Sequence, residues 1–307
     1  MSRRNAKRLG NHLAGLLCIL PLAASVALAA ERASFSGGRA FEDLKRLVAL
    51  GPRPSGSKAL AEARQQILHE LRQAGVAAEE DRFVATTPAG SVPMVNVIGK
   101  IPGARRDVVI IAGHYETKRF ADFPFVGAND GGSSAAFLLE MARVLAQRKN
   151  EFTYWLVFFD GEEAFEEFTE TDGLYGSRHL VQKLTSDGEL SRIEALILVD
   201  MIGDARLNIH REDSSTPWLT KMVFQTARRL GYEKYFRDDP RAYVDDHVPF
   251  LNAGVAATDL LDFDYGPNNR YWHTAQDTLD RCSPASLTIV GRVVLATLDE
   301  LERTRLK

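Results

Sequence analysis

The stretch Trp155-Leu156-Val157-Phe158-Phe159-Asp160-Gly161-Glu162-Glu163-Ala164-Phe165 decides how the chain reads. An unbroken run of large apolar residues, Trp155 to Phe159, suits a strand covered on both faces. It stops at Asp160-Gly161, and two more acids follow at the strand's carboxyl end, the edge where open α/β sheets bind ligands. Glu162 and Glu163 are neighbours on extended backbone, so their side chains diverge. One can grip a metal while the other faces a substrate as a base. By itself the pair also reads as a solvated acidic loop after a core strand, so other positions have to decide.

Outward from this strand, apolar runs and amphipathic stretches alternate. Residues 108–114 form another buried strand, ending in His114, and Ser133 and Ser134 can cap a helix reaching to about residue 147. Beyond the central strand come a helix over 174–184, a strand over 193–200, a helix over 217–230, a strand over 255–261 and a closing helix over 284–303. Such alternation predicts one α/β domain with a mostly parallel, twisted sheet and helices on both faces. Earlier in the chain, residues 81–86 and 94–101 read as a hairpin or edge pair around Pro88-Ala89-Gly90. Two amphipathic helices, over about 40–49 and 57–74, precede them. A catalytic domain over 40–307 is expected, with no repeat or linker inside it.

The amino terminus carries Arg3, Arg4, Lys7 and Arg8, then an uncharged apolar run over 13–28 that closes on Ala27-Leu28-Ala29. That is the pattern of a signal peptide over 1–29, followed by a loose segment over 30–39. Export to the periplasm or beyond is expected, with an uncleaved amino-terminal anchor as the competing reading. No later stretch is long and apolar enough to span a membrane. Removal of the signal takes Cys18 with it and leaves Cys282, so no internal disulfide supports the fold, and Cys282 reads as a packed thiol. A formal net charge of -3 over 307 residues gives no reason to invoke nucleic acid or an anionic membrane surface.

Potential metal ligands fall at the ends of successive buried strands. His114 follows one, Asp130 lies in the loop beyond it, Glu162 and Glu163 follow the next, and Asp200 the third; His273 lies in a late loop. Singly, each has a plain explanation: Asp130 could shape the Asn129-Asp130-Gly131-Gly132 turn, Asp200 could be a strand-end acid, and His273 could be a surface residue. Together they fit a catalytic zinc site, which uses three His or carboxylate ligands and leaves one position open. Asp130, Glu163 and His273 would meet that need and leave Glu162 free beside the metal.

Five segments, in order, resemble the glutaminyl cyclases (glutaminyl-peptide cyclotransferases), zinc enzymes similar in fold to the dinuclear zinc aminopeptidases. They are Gly127-Ala128-Asn129-Asp130, Phe158 to Phe165, Leu174-Tyr175-Gly176-Ser177-Arg178-His179-Leu180, Asp245-Asp246-His247-Val248-Pro249-Phe250-Leu251 and Trp272-His273-Thr274. The resemblance spans the chain from about residue 40. It implies Asp130, Glu163 and His273 as zinc ligands and Glu162 as general acid/base. It further implies that Asp200 and Asp245 hold Glu162 by hydrogen bonds and that Trp272 walls the substrate ring.

On that reading one zinc serves conversion of amino-terminal Gln in peptides or proteins to pyroglutamate. The related aminopeptidases use positions matching His114 and Asp200 for a second zinc, so a dinuclear peptidase is the alternative. An inactive peptidase-like binding domain is a third class. Three departures stand out. Glu116 replaces the usual Asp two residues after the His, which changes how His114 can be oriented. Phe168 stands where animal cyclases carry Trp, and the loop over 262–271 is longer than theirs. Phe123 and Phe125 are expected to pack beside the metal loop. Oligomeric state is not legible.

Overall fold

The computed structural model describes residues 34–305. The stretch quoted above becomes β4 (Thr153–Phe159), and its apolar run is explained by two separate cores. Tyr154, Leu156 and Phe158 face one, while Trp155, Val157 and Phe159 face the other. Both faces of the strand are therefore dry, which removes any reason for polar alternation.

Around it lie β1 (Ala77–Thr87), β2 (Gly90–Ile101), β3 (Val108–His114), β5 (Ile193–Asp200) and β8 (Ala257–Leu261), in the order β1-β2-β4-β3-β5-β8. Strands β4, β3, β5 and β8 run parallel. The expected hairpin, β1 with β2, joins them antiparallel through the β2 and β4 pairing, so the sheet is mixed. Helices α1 (Gly37–Val48), α2 (Lys58–Gln73), α3 (Gly132–Ala146), α5 (Pro217–Arg229) and α7 (Pro284–Arg305) contribute to the larger core. In α7, Leu287, Leu298 and Leu301 are fully buried. The second core is closed by α4 (Tyr175–Ser186) and α6 (His247–Asn252).

Four features depart from the sequence reading. The loose segment expected over 30–39 does not extend to residue 39, because α1 begins at Gly37 with Ser36 accepting the Arg39 amide as its cap. Arg39 pairs with buried Glu140 at 2.6 Å, and Phe35 packs on Phe137, so this entry is fixed by packing. Ser133 and Ser134 lie inside α3 rather than capping it. Their hydroxyls donate to the carbonyls of Asn129 (2.6 Å) and His114 (3.0 Å), tying the helix start to the end of β3. A two-stranded ribbon of β6 (Ile209–Glu212) and β7 (Phe236–Arg241) was not foreseen, nor was α6. The proposed signal peptide lies outside the described residues. Among the described residues, no helix is long and apolar enough to cross a membrane.

Candidate active site

Every parallel strand delivers its carboxyl end to one edge of the sheet, and the foreseen residues converge there. Asp130, Glu163 and His273 place one ligand atom each within 4.8 Å of one another. His273 Nε2 is 3.1 Å from Glu163 Oε1 and 3.3 Å from Asp130 Oδ2. A second group shares Asp130: His114 Nε2 lies 3.3 Å from Asp130 Oδ1 and 3.1 Å from Asp200 Oδ1. The two oxygens of Asp130 thus face different imidazoles, the arrangement of a carboxylate able to bridge two ions. His114, Glu116 and Glu162 make a third such group.

The donor set fits zinc by chemistry and by satisfaction. Two carboxylates and an imidazole from distant parts of the chain are the ligands zinc takes. Buried Asp130 Oδ2 receives no well-directed hydrogen bond, a need that a cation there would meet. Burial acts to deprotonate His273, but Glu163, by charge and hydrogen bond, and the nearby Asp130 carboxylate prevail and push it up to about 9. Binding a cation there therefore displaces a proton.

Backbone geometry aims the ligands. His273 has φ +53 and Met201, next to Asp200, has φ +50, a left-handed conformation that costs side-chain-bearing residues energy. The Asp130 loop is held by Asp277, whose carboxylate accepts the amides of Asn129 (2.8 Å) and Asp130 (3.1 Å) and the hydroxyl of Tyr265 (2.8 Å). Burial, with the Asp130 charge, raises Asp277 to about 7. Sequence reasoning missed Asp277, which reads as an ordinary loop acid until the fold is known.

Glu162 is 9% exposed and lines a cavity of about 420 Å³ together with Asp200 and Asp245. Burial raises its carboxyl well above the ordinary range; the His114 charge opposes this and the Asp245 and Glu163 charges add to it. The hydrogen bonds expected from Asp200 and Asp245 to Glu162 are not formed. Asp200 Oδ1 instead accepts the Met201 amide and faces His114, and Asp245 Oδ1 accepts the Asp246 amide. Asp245 acts on Glu162 through charge.

One wall of the cavity is a chain of rings. Tyr243 meets Phe263 at 5.5 Å, Phe263 meets Trp272 at 4.8 Å, and Trp272 stacks on His273 at 3.9 Å. Phe168 and Val244 stand at the cavity with 42% and 62% of their surface exposed. Phe120, not singled out from sequence, and Phe125 set their rings edge-on to His273. Phe123 stacks on Phe120, so these aromatics do pack beside the metal loop. Cys282 is buried among Leu44, Ala128 and Ala136, a packed thiol as expected.

Comparison with known proteins agrees with this geometry. Residues 96–298 match peptidase family M28. The glutaminyl-peptide cyclotransferase of Boiga irregularis is 31% identical, over 78% of this chain and 74% of its own. The glutaminyl cyclase of an Acidobacteriales bacterium shares 42% identity with a TM-score of 0.85, over 88% of this chain and 96% of that one. A leucine aminopeptidase precursor from Bacteroides thetaiotaomicron, 24% identical over 87% of this chain and 98% of that one, has the same fold at a TM-score of 0.79. The chain belongs to peptidase family M28, among its glutaminyl-peptide cyclotransferases.

Proposed function

We propose that this protein is a zinc-dependent glutaminyl-peptide cyclotransferase acting on peptides or proteins with a free amino-terminal Gln. Asp130, Glu163 and His273 hold the metal. Zinc bound there supplies Lewis acidity toward the side-chain amide carbonyl of the substrate. Glu162 takes a proton from the substrate's own α-amine, whose nitrogen attacks the side-chain amide carbon. Glu162 then returns the proton to the departing nitrogen. One C–N bond forms, one breaks, ammonia leaves, and the chain contributes no nucleophile. Asp245 and the other buried acids keep Glu162 basic enough to accept that proton, and Trp272 walls the forming ring.

The observation that carries this reading is the division of labour between two adjacent glutamates. Both line the cavity, but Glu163 pairs with His273 at 3.1 Å, whereas Glu162 stands outside that group with its acidity suppressed by burial. Purified protein should release ammonia from a Gln-initiated peptide and no free amino acid from a Leu-initiated one. The reverse would establish a dinuclear aminopeptidase, a reading favoured by the second group, His114, Asp130 and Asp200. The basic start and the apolar run over 13–28 support export to the periplasm or beyond.

A further inference from the structure

His210, in β6, is 4% exposed and has a carboxylate at each ring nitrogen. Nε2 lies 2.7 Å from Asp264 Oδ2. Nδ1 lies 3.0 Å from Asp239 Oδ2 but off the line of a hydrogen bond. The two acids belong to different segments. Asp239 sits in β7 where the pairing shifts register: Arg237 pairs with His210 and Pro240 with Arg211, leaving Asp238 and Asp239 between them. Such an irregularity re-aims side chains. The same segment then continues into Ala242, Tyr243, Val244 and Asp245, which line the cavity. Asp264 lies in the loop after β8, beside Phe263 and on the way to Trp272, which also line it. The two segments meet where Tyr243 touches Phe263.

His210 touches both acids, and other groups face them as well: Arg241 lends its charge to Asp264, and Asn208 Nδ2 lies 3.0 Å from His210 Nε2. On the β7 side, Arg241 stands 3.8 Å from Asp239, and Arg237 donates to Asn208 Oδ1 at 2.9 Å. On the β6 side, Arg211 is taken up by Asp238 at 2.8 Å, and Asn208 donates to Asp264 at 2.5 Å. In the loop, Asp262 accepts the Asn208 and Asp264 amides. Burial opposes ionisation of Asp264, yet the His210 contact holds its carboxyl below the ordinary range.

We propose that His210 is a positioning residue for the reaction, tying the Tyr243 and Val244 segment to the Phe263 and Trp272 loop and so setting how tightly the cavity holds substrate. The proposal rests on the cyclase reading for its kinetic effect, but the tie itself is a property of the fold.

The test is steady-state kinetics of the zinc-loaded full chain on a Gln-initiated peptide, for wild type, His210→Gln and Asp239→Asn. For His210→Gln, KM should rise about fivefold, the scale of one partly exposed side-chain contact, with kcat and zinc content unchanged. Asp239→Asn, at a side chain 55% exposed, should give a smaller rise and covers the case in which the His210 variant does not fold. An unchanged KM, or a loss of kcat in place of a rise in KM, overturns the proposal. Deuterium uptake by amides over 242–245 and 262–272 should increase in both variants. If wild type makes no pyroglutamate, the cyclase reading falls. Exchange then decides the tie alone, and unchanged uptake rejects it.

Discussion

Glu116 Oε1 accepts the backbone N–H groups of both Glu162 (2.6 Å) and Glu163 (3.1 Å). The residue expected to orient His114 does something else: its carboxylate is 3.6 Å from His114 Nδ1, which makes no hydrogen bond. Glu116 is instead the anchor of the turn that carries the proposed base and a proposed metal ligand. Glu116→Ala would leave two buried amides unpaired, at a cost of about 2–5 kcal/mol in all. It should lower Tm and loosen zinc together. Glu116→Gln keeps an acceptor oxygen and should do neither to the same degree. Calorimetry and zinc content per chain check this, and equal behaviour of the two variants contradicts it.

The roles assigned to the adjacent glutamates separate on substitution. Glu162→Gln removes a proton carrier without touching the Asp130, Glu163 and His273 group. It should retain zinc and lower kcat/KM by about 10²- to 10⁴-fold. His273→Ala removes a ligand, so both zinc and activity should go. Loss of zinc from the Glu162 variant would mean that the two glutamates had been exchanged.

What the sequence disclosed and what it hid follow from the range of the forces involved. Strand β4 was legible because its burial is written residue by residue, and the convergence on Asp130, Glu163 and His273 because each follows a strand or loop of recognisable type. The β7 strand, Phe-Arg-Asp-Asp-Pro-Arg, has one buried residue and no alternation, so its pairing with β6 depends on tertiary contacts that leave no periodic trace. Likewise Asp277 looks like a surface acid in sequence, and only the folded loop shows it gripping the amides beside the Asp130 ligand. The start of α1 was placed late because its capping Ser36 and anchoring Phe35 lie in a stretch whose local composition suggests looseness.

Metal stoichiometry should follow the protons. His114 is buried, which favours its neutral form, but the Asp200 and Glu116 charges outweigh burial and raise its pKa well above the ordinary value. A second ion between Asp130, His114 and Asp200 must displace that proton. About one zinc per chain is expected at neutral pH, and chelation should abolish activity. His114→Ala should keep that zinc, whereas Asp130→Ala should lose it. Two zincs per chain by mass spectrometry, one of them lost in His114→Ala, would favour the peptidase.

Stability should also depend on pH through Asp262, which lies outside the proposed ligand set. Burial raises its carboxyl from 3.8 to about 7, against the amides of Asn208 (2.7 Å) and Asp264 (3.1 Å) that favour the charged form. A carboxyl whose folded pKa exceeds its unfolded one binds more protons when folded. Its contribution is fully present below about 4 and is lost as pH rises through about 7, a change on the order of 1–4 kcal/mol. Asp160 and Asp277, each also pushed up to about 7, act with the same sign. In chelator, these three contribute a fall in Tm from acid toward neutral pH, on a background common to wild type and variant. Asp262→Asn sacrifices one acceptor, so it should lower Tm at acid pH while making the decline shallower. The slope is the diagnostic: a variant curve parallel to wild type, merely displaced, would show that Asp262 is already ionised throughout and that its two amide bonds outweigh its burial.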